Sequence, residues 1–152
     1  MASSTHQVIE IPVTGDSSVL TVVVRPVPEI KADEVLVRTA YAGVNFIDTY
    51  HRSGVYPLRS KVIGMEGVGR VVAVGDKVTT LKVGDLVGWP ATISSYAEYV
   101  AVPHDRAVAV PAGVEEQTAC AAMLQGMTAH YLVTSVFPIK QGDVALVHAA
   151  AG

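Results

Sequence analysis

The chain has 152 residues, of which 50% are hydrophobic and 16% are charged, so it can bury a core and does not have the composition of a disordered polymer. Its net charge is −3, and its basic residues are scattered singly, which argues against nucleic acid and anionic membranes as partners. The single cysteine, Cys120, excludes an internal disulfide and the cysteine-rich zinc motifs, and no stretch reaches the roughly 18 apolar residues of a membrane span. We therefore expect a cytoplasmic protein.

The first third of the chain has the pattern of short β-strands. Two β-branched runs at 7–13 and 19–25 flank the turn-forming segment 14–18, which predicts a β-hairpin. Alternating apolar residues at 35–42 then predict a third, central strand that ends at Gly43.

Polar side chains cluster in the next segment, 45–53, which we interpret as a short helix or a structured loop. Five of them can form hydrogen bonds: Asn45, Asp48, Tyr50, His51 and Arg52. The residues alone leave two interpretations open. The cluster orients a polar ligand, or it is a solvated loop whose Asn and Asp cap a short helix.

Glycines interrupt the valine-rich strand predicted over 62–75. Gly64, Gly67 and Gly69 have the reverse of the G-x-G-x-x-G spacing and no helix follows them, so we expect a barrel corner or bulge here and not a phosphate site. Further short strands at 86–89, 95–102 and 107–110 complete the spacing of a barrel or sandwich.

The last forty residues change character. A helical pattern covers 115–137, and we expect Gly126 to split it into two helices, with Thr128 capping the second. Residues 142–152 then have the pattern of a turn, a buried strand and the small-residue start of a glycine-rich turn, which predicts a fragment that stops inside a β-α-β unit. The predicted fold class is mainly β with C-terminal helices, an α+β arrangement.

No metal site is expected from the residues. The five histidines lie far apart, and no pair has the i, i+4 spacing of ligands on one helix face.

Several strings of this sequence together resemble one family. They are GVNFIDTYHRSGVYP at 43–57, GMEGVGRVVAVG at 64–75, VGDLVG at 83–88, SYAEY at 95–99, MLQGMTA at 123–129 and the segment 142–152. They are similar to the zeta-crystallin-like quinone oxidoreductase branch of the medium-chain dehydrogenase/reductase superfamily. The resemblance covers essentially the whole chain from about residue 7.

The resemblance implies a GroES-like, partly open β-barrel over residues 1–124. Residues 125–152 would then be the linking helix and the first strand of a truncated, NADPH-binding Rossmann domain. Asn45 and Met65 stand where zinc-dependent relatives have a Cys and a His ligand. The family pattern therefore also implies a zinc-free protein.

Residue roles also follow from the resemblance. Asn45 and Tyr50 match residues beside the nicotinamide and the quinone, where they would donate hydrogen bonds to the oxygen being reduced. Asp48 matches a residue that supports this loop, Thr128 matches a threonine near the nicotinamide, and Gly152 is the first glycine of the cofactor-binding turn. His51 replaces a residue that is often apolar, which would alter substrate preference.

The function implied is NADPH-dependent quinone reduction by an intact protein that forms a homodimer. The 152-residue fragment alone is expected to be inactive. Reduction of an activated C=C bond in an enone or alkenal is an alternative, and a non-catalytic, barrel-only binding protein is another. We expect Asn45 and Tyr50 to lie in an exposed loop, so that replacing either changes stability by about 0.5 kcal/mol or less.

Overall fold

The computed structural model describes residues 5–148, and strands dominate it as predicted. The strands are β1 (Thr5–Glu10), β2 (Thr21–Pro26), β3 (Glu34–Gly43), β4 (Glu66–Val74), β5 (Leu86–Trp89), β6 (Tyr99–Pro103) and β7 (Val108–Ala109). The helices are α1 (Phe46–Ser53), α2 (Glu116–Ala122) and α3 (Leu124–Tyr131), with a 3₁₀ turn at Ser17–Val19 and a π-helical turn at Leu132–Val136. None of these helices is long and apolar enough to cross a membrane.

The strands form two antiparallel sheets. β1 and β2 are the predicted hairpin, and the other five are ordered β6-β3-β4-β5-β7, so β3 is an interior strand as expected. The hairpin is fastened to the rest by backbone bonds, from Ile9 N–H to the Tyr96 carbonyl at 2.9 Å and from Ile11 N–H to the Lys61 carbonyl at 2.9 Å. Strand alternation thus produced the mainly β architecture.

Valine side chains on alternate positions fill the main core. Val35 and Val37 of β3 are fully buried, and they lie opposite Val102 and Val100 of β6. The buried members of this core are Val35, Val37, Val71, Val78, Val87, Trp89, Val100 and Val102. β-branched side chains pack well on a pleated surface, which explains why a valine-rich sequence makes this sheet.

Helix α2 covers the other side of the sheet. Its Ala119 and Cys120 are buried against Val68 of β4, and the helix contacts β3, β4 and β5. This packing brings the start of α3 to the ends of β3 and β4, where the candidate site lies.

The predicted helix boundary at Gly126 is wrong. The helical segment breaks at Met123, whose ψ of −88° leaves the helical region, and both Gly126 and Thr128 lie inside α3. The reason is the backbone N–H of Leu124, which donates to the Glu66 carboxylate at 2.6 Å and so begins a new helix at that residue. Thr128 therefore does not cap a helix.

The predicted strand near residue 145 is not formed. Residues 144–148 are irregular, and Val144 is 99% exposed. A strand needs a neighbour for its backbone groups, and no described strand pairs with this segment. Gly152 lies outside the described residues.

Two glycine substitutions test this packing in opposite directions. A Cβ on Gly67 would lie 2.5 Å from Cζ2 of the fully buried Trp89, so we expect Gly67→Ala to lower the free energy of unfolding by about 1–3 kcal/mol. Inside α3, a Cβ on Gly126 would meet only the Cβ of Ala122, at 3.8 Å. Because alanine is the better helix former, Gly126→Ala should raise the free energy of unfolding by about 0.5–1 kcal/mol. Urea unfolding followed by the fluorescence of the single tryptophan measures both, and an unchanged Gly67→Ala midpoint would contradict the packing described.

Candidate functional site

The site begins where β3 ends and α1 starts. Two register shifts in the β3–β4 ladder, at Leu36/Val37 and at Thr39/Tyr41, bring Gly43 opposite Glu66, the first residue of β4. A Cβ on Gly43 would overlap the Glu66 carboxylate, so only glycine leaves room for that group. The absence of a side chain at Gly43 thus leaves the space inside the fold that the Glu66 carboxylate fills.

The Glu66 side chain is fully buried and accepts two hydrogen bonds from different elements. Its Oε1 accepts from Asn45 Nδ2 at 2.8 Å, and its Oε2 accepts from the backbone N–H of Leu124 at 2.6 Å. Because a buried carboxylate is costly without donors, these bonds hold the start of α1 and the start of α3 together.

Asn45 occupies the N-cap position of α1 and is only 9% exposed. While its Nδ2 donates to Glu66, its Oδ1 accepts from Gln125 Nε2 at 3.1 Å. A carboxamide has two N–H donors, so one N–H remains available. The amide is therefore oriented from both ends and can still bind a ligand.

Asp48 holds this N-terminus in place. Its Oδ2 accepts from the Asn45 backbone N–H at 2.9 Å and from the Tyr96 hydroxyl at 2.7 Å, while its buried Oδ1 has no partner within residues 5–148. Burial, together with the Asp48 carboxylate, raises the pKa of Tyr96 far above its ordinary value. Tyr96 thus remains a hydrogen-bond donor at physiological pH, and Asp48 supports the loop.

Tyr50 lies on another face of α1 and is 36% exposed. Its ring makes edge contacts with Phe46, at a centroid distance of 5.3 Å, and with Tyr56, at 5.2 Å. These three rings form a surface, called here the aromatic surface. The helix stops after this face because Gly54, at φ +82°, adopts the left-handed conformation and donates its N–H to the His51 carbonyl.

The structure brings together only part of the predicted set. Asn45 and Asp48 are joined through the α1 N-terminus, whereas Tyr50 lies apart on the aromatic surface. Thr128 is exposed on α3, three residues beyond Gln125 and hence about one turn along the helix from the residue that contacts Asn45. Of the solvated-loop interpretation of 45–53, one part holds and one does not. Asn45 and Asp48 do cap a short helix, but both residues are buried and not solvated.

Three contributors were missed at the sequence level: Glu66, Gln125 and Tyr96. Glu66 had the clearest signal, because a lone carboxylate at the start of a glycine and valine strand is expected to be buried with donors. Gln125 and Tyr96 have no such signal, since their contacts with Asn45 and Asp48 span 80 and 48 residues.

Metal-ligating side chains do not converge in the described part of the chain. No three His, Cys, Asp or Glu residues there lie close enough together to hold a metal ion.

The stability of an Asn45 variant distinguishes an exposed loop, as expected from the sequence, from the buried hydrogen-bond network of the structure. The expectation that this residue is exposed is wrong, so Asn45→Ala should lower the free energy of unfolding by about 1–3 kcal/mol because it leaves a Glu66 oxygen without its donor. Tyr50→Phe removes a hydroxyl from a partly exposed ring and should change it by less than about 0.5 kcal/mol. Chemical denaturation of both variants measures this difference, and equal stabilities would contradict the network.

Comparisons with known proteins agree with the fold and the sequence motifs. The family model described as the alcohol dehydrogenase GroES-like domain matches residues 31–112. A probable quinone oxidoreductase of Schizosaccharomyces pombe is 42% identical over 146 residues, which are 95% of this chain and 44% of that protein.

Two solved structures show the same backbone. A mycobacterial protein complexed with NADPH has a TM-score of 0.90 and 43% identity, covering 96% of this chain and 46% of the other. Escherichia coli quinone oxidoreductase complexed with NADPH has a TM-score of 0.84 and 34% identity, covering 88% and 42%.

This chain thus spans less than half the length of each of these relatives. The matched domain covers more than half of the chain itself, and the matched relatives extend over nearly all of the rest. The chain belongs to the alcohol dehydrogenase GroES-like domain family of the medium-chain dehydrogenase/reductase superfamily, and it is similar to the quinone oxidoreductases of that superfamily.

Proposed function

We propose that the protein is an NADPH-dependent quinone oxidoreductase, a cytoplasmic homodimer in which this chain forms the substrate side of the site. The observation that carries the proposal is the Asn45 amide, which Glu66 and Gln125 fix from both ends at the start of the helix that carries Phe46 and Tyr50. The quinone oxidoreductase relatives support the substrate class, and the NADPH complexes of two similar structures support the cofactor.

The residues around Asn45 fit a nicotinamide. Val44 and Phe46 flank the buried Asn45 and are 77% and 73% exposed, so they offer apolar surface that a flat ring can cover. We assign Asn45, Tyr50 and Thr128 to the nicotinamide end, with Asp48 supporting them. When bound, NADPH supplies the hydride.

This chain contributes hydrogen-bond donors that are held in position for the reaction. As a quinone oxygen gains negative charge, the free N–H of Asn45 and the hydroxyl of Tyr50 stabilise it. Since the amide is held by two hydrogen bonds before the reaction, it needs no reorganisation, and such a donor is worth about 3 kcal/mol. The family resemblance implied the same role for these two residues.

The activity test uses the natural gene product that carries this chain. We expect NADPH oxidation with 1,4-naphthoquinone to be faster than with an alkenal such as trans-2-hexenal. Tyr50→Phe should lower kcat/KM for the quinone by roughly tenfold or more, because it removes a donor without disturbing the fold. Tyr41→Phe is the matched control, since Tyr41 is a similarly exposed tyrosine on β3, and it should leave kcat/KM unchanged.

Three results would contradict this function. Absence of turnover would favour the non-catalytic alternative, faster turnover of the alkenal would favour the double-bond reductase, and an unchanged Tyr50→Phe would remove Tyr50 from the site.

A further inference from the structure

A second concave region lies on the side of α1 that carries His51. It is a cavity of about 750 Å³, called here the His51 cavity, and its volume is within the range of small-molecule sites. The lining residues that matter to its chemistry are His51, Tyr56, Arg59, Met65, Thr92 and Arg106. Neither Asn45 nor Tyr50 lines this cavity.

Two of its lining residues each carry a buried polar atom without a partner in the described part of the chain. Nδ1 of His51 and Oγ1 of Thr92 form no hydrogen bond with any residue from 5 to 148, although the two residues are only 8% exposed. An unpartnered buried polar atom costs stability, so a protein that keeps two of them on residues that line one cavity gains something from them. Each can donate a hydrogen bond, the imidazole as its Nδ1–H tautomer and the threonine through its hydroxyl.

Two arginines add positive charge to the same cavity. Arg59 and Arg106 are exposed, and neither pairs with a carboxylate in the described part of the chain. Arg106 is oriented by its bond to the Ala91 carbonyl at 2.8 Å. The one carboxylate of the lining, Glu34, is occupied by Lys31, whose Nζ and backbone N–H both donate to it. The guanidinium groups are thus free for an anion.

The remaining wall suits a flat ring. Tyr56 and Met65 line the cavity, and both are groups that pack well against aromatic faces. Tyr56 contacts His51 at a ring distance of 6.0 Å and Tyr50 at 5.2 Å. The His51 cavity therefore adjoins the aromatic surface assigned to the reaction.

From these observations we infer that the His51 cavity selects an acidic substrate, namely an aromatic quinone that carries a carboxylate or another anionic group. Its ring lies against Tyr56 and Met65, and its anionic group faces Arg59 and Arg106. Of its two carbonyl oxygens, the one that does not face Asn45 and Tyr50 accepts from His51 and Thr92. The assignment of the ligand as a quinone rests on the proposed function.

A ligand that cannot be reduced tests the cavity without the reaction. We expect the protein to bind 2-naphthoate about tenfold more tightly than the neutral 2-naphthamide, as measured by calorimetry or NMR titration. Arg59→Gln and Arg106→Gln should each reduce this preference by roughly threefold. Arg38→Gln is the matched control, because it removes the same charge from an exposed arginine outside the cavity, and it should leave the preference unchanged.

Thr92→Val tests the buried donor with nearly the same side-chain shape. It should weaken the binding of 1,4-naphthoquinone-2-sulfonate, measured without NADPH, by about threefold and leave the protein at least as stable, because the hydroxyl it removes has no partner among the described residues. Reduced stability with unchanged binding would show that the hydroxyl serves the fold and would overturn its assignment to the ligand.

Kinetics then separate this inference from the proposed function. The ratio of kcat/KM for 1,4-naphthoquinone-2-sulfonate to that for 1,4-naphthoquinone should fall in Arg59→Gln and Arg106→Gln and not in Arg38→Gln. Quinone reduction with no such fall, or equal affinity for naphthoate and naphthamide, would overturn the acidic substrate and leave the function standing. Naphthoate selectivity without quinone reduction would overturn the function while the anionic site stands.

Discussion

The buried Glu66 carboxylate is the group on which the arrangement of the site depends. A buried carboxyl group must receive hydrogen bonds from the protein, and here the donors are the Asn45 amide and the Leu124 backbone. The first donor fixes the N-terminus of α1, and the second fixes the break between α2 and α3. One electrostatic requirement therefore determines where two helices begin.

The same requirement acts on the backbone. Gly43 must lack a side chain because the carboxylate fills the space where a Cβ would lie, and the shifted β3–β4 register brings the two residues opposite each other. Asn45 follows two residues later and uses its backbone N–H to bind Asp48, which leaves its side chain free to bind Glu66 and Gln125. Residues at the end of β3, at the start of β4 and at the start of α1 and α3 thus together orient the Asn45 amide.

The strands and the α1 region were predictable because their signals are local. The alternating valines predict β3 and the turn residues after β1 predict the hairpin, and both patterns lie within the segments they describe. The polar residues at 45–53 likewise indicate the short helix that forms there. The break at Met123 was not predictable in this way. Gly126 is the weaker helix former locally, yet the contact of Leu124 with Glu66, 58 residues away, determined the boundary. A strand near residue 145 failed because apolar character cannot replace a missing strand neighbour.

A double-mutant cycle between Asn45→Ala and Glu66→Gln measures how strongly these two buried side chains depend on each other. The free energies of unfolding of the two single variants and the double variant give the coupling between these side chains. We predict a coupling of about 1 kcal/mol or more, because each of the two buried side chains supplies the hydrogen-bond partner of the other. Effects that add to within about 0.3 kcal/mol would show that the two residues act independently and would contradict the account.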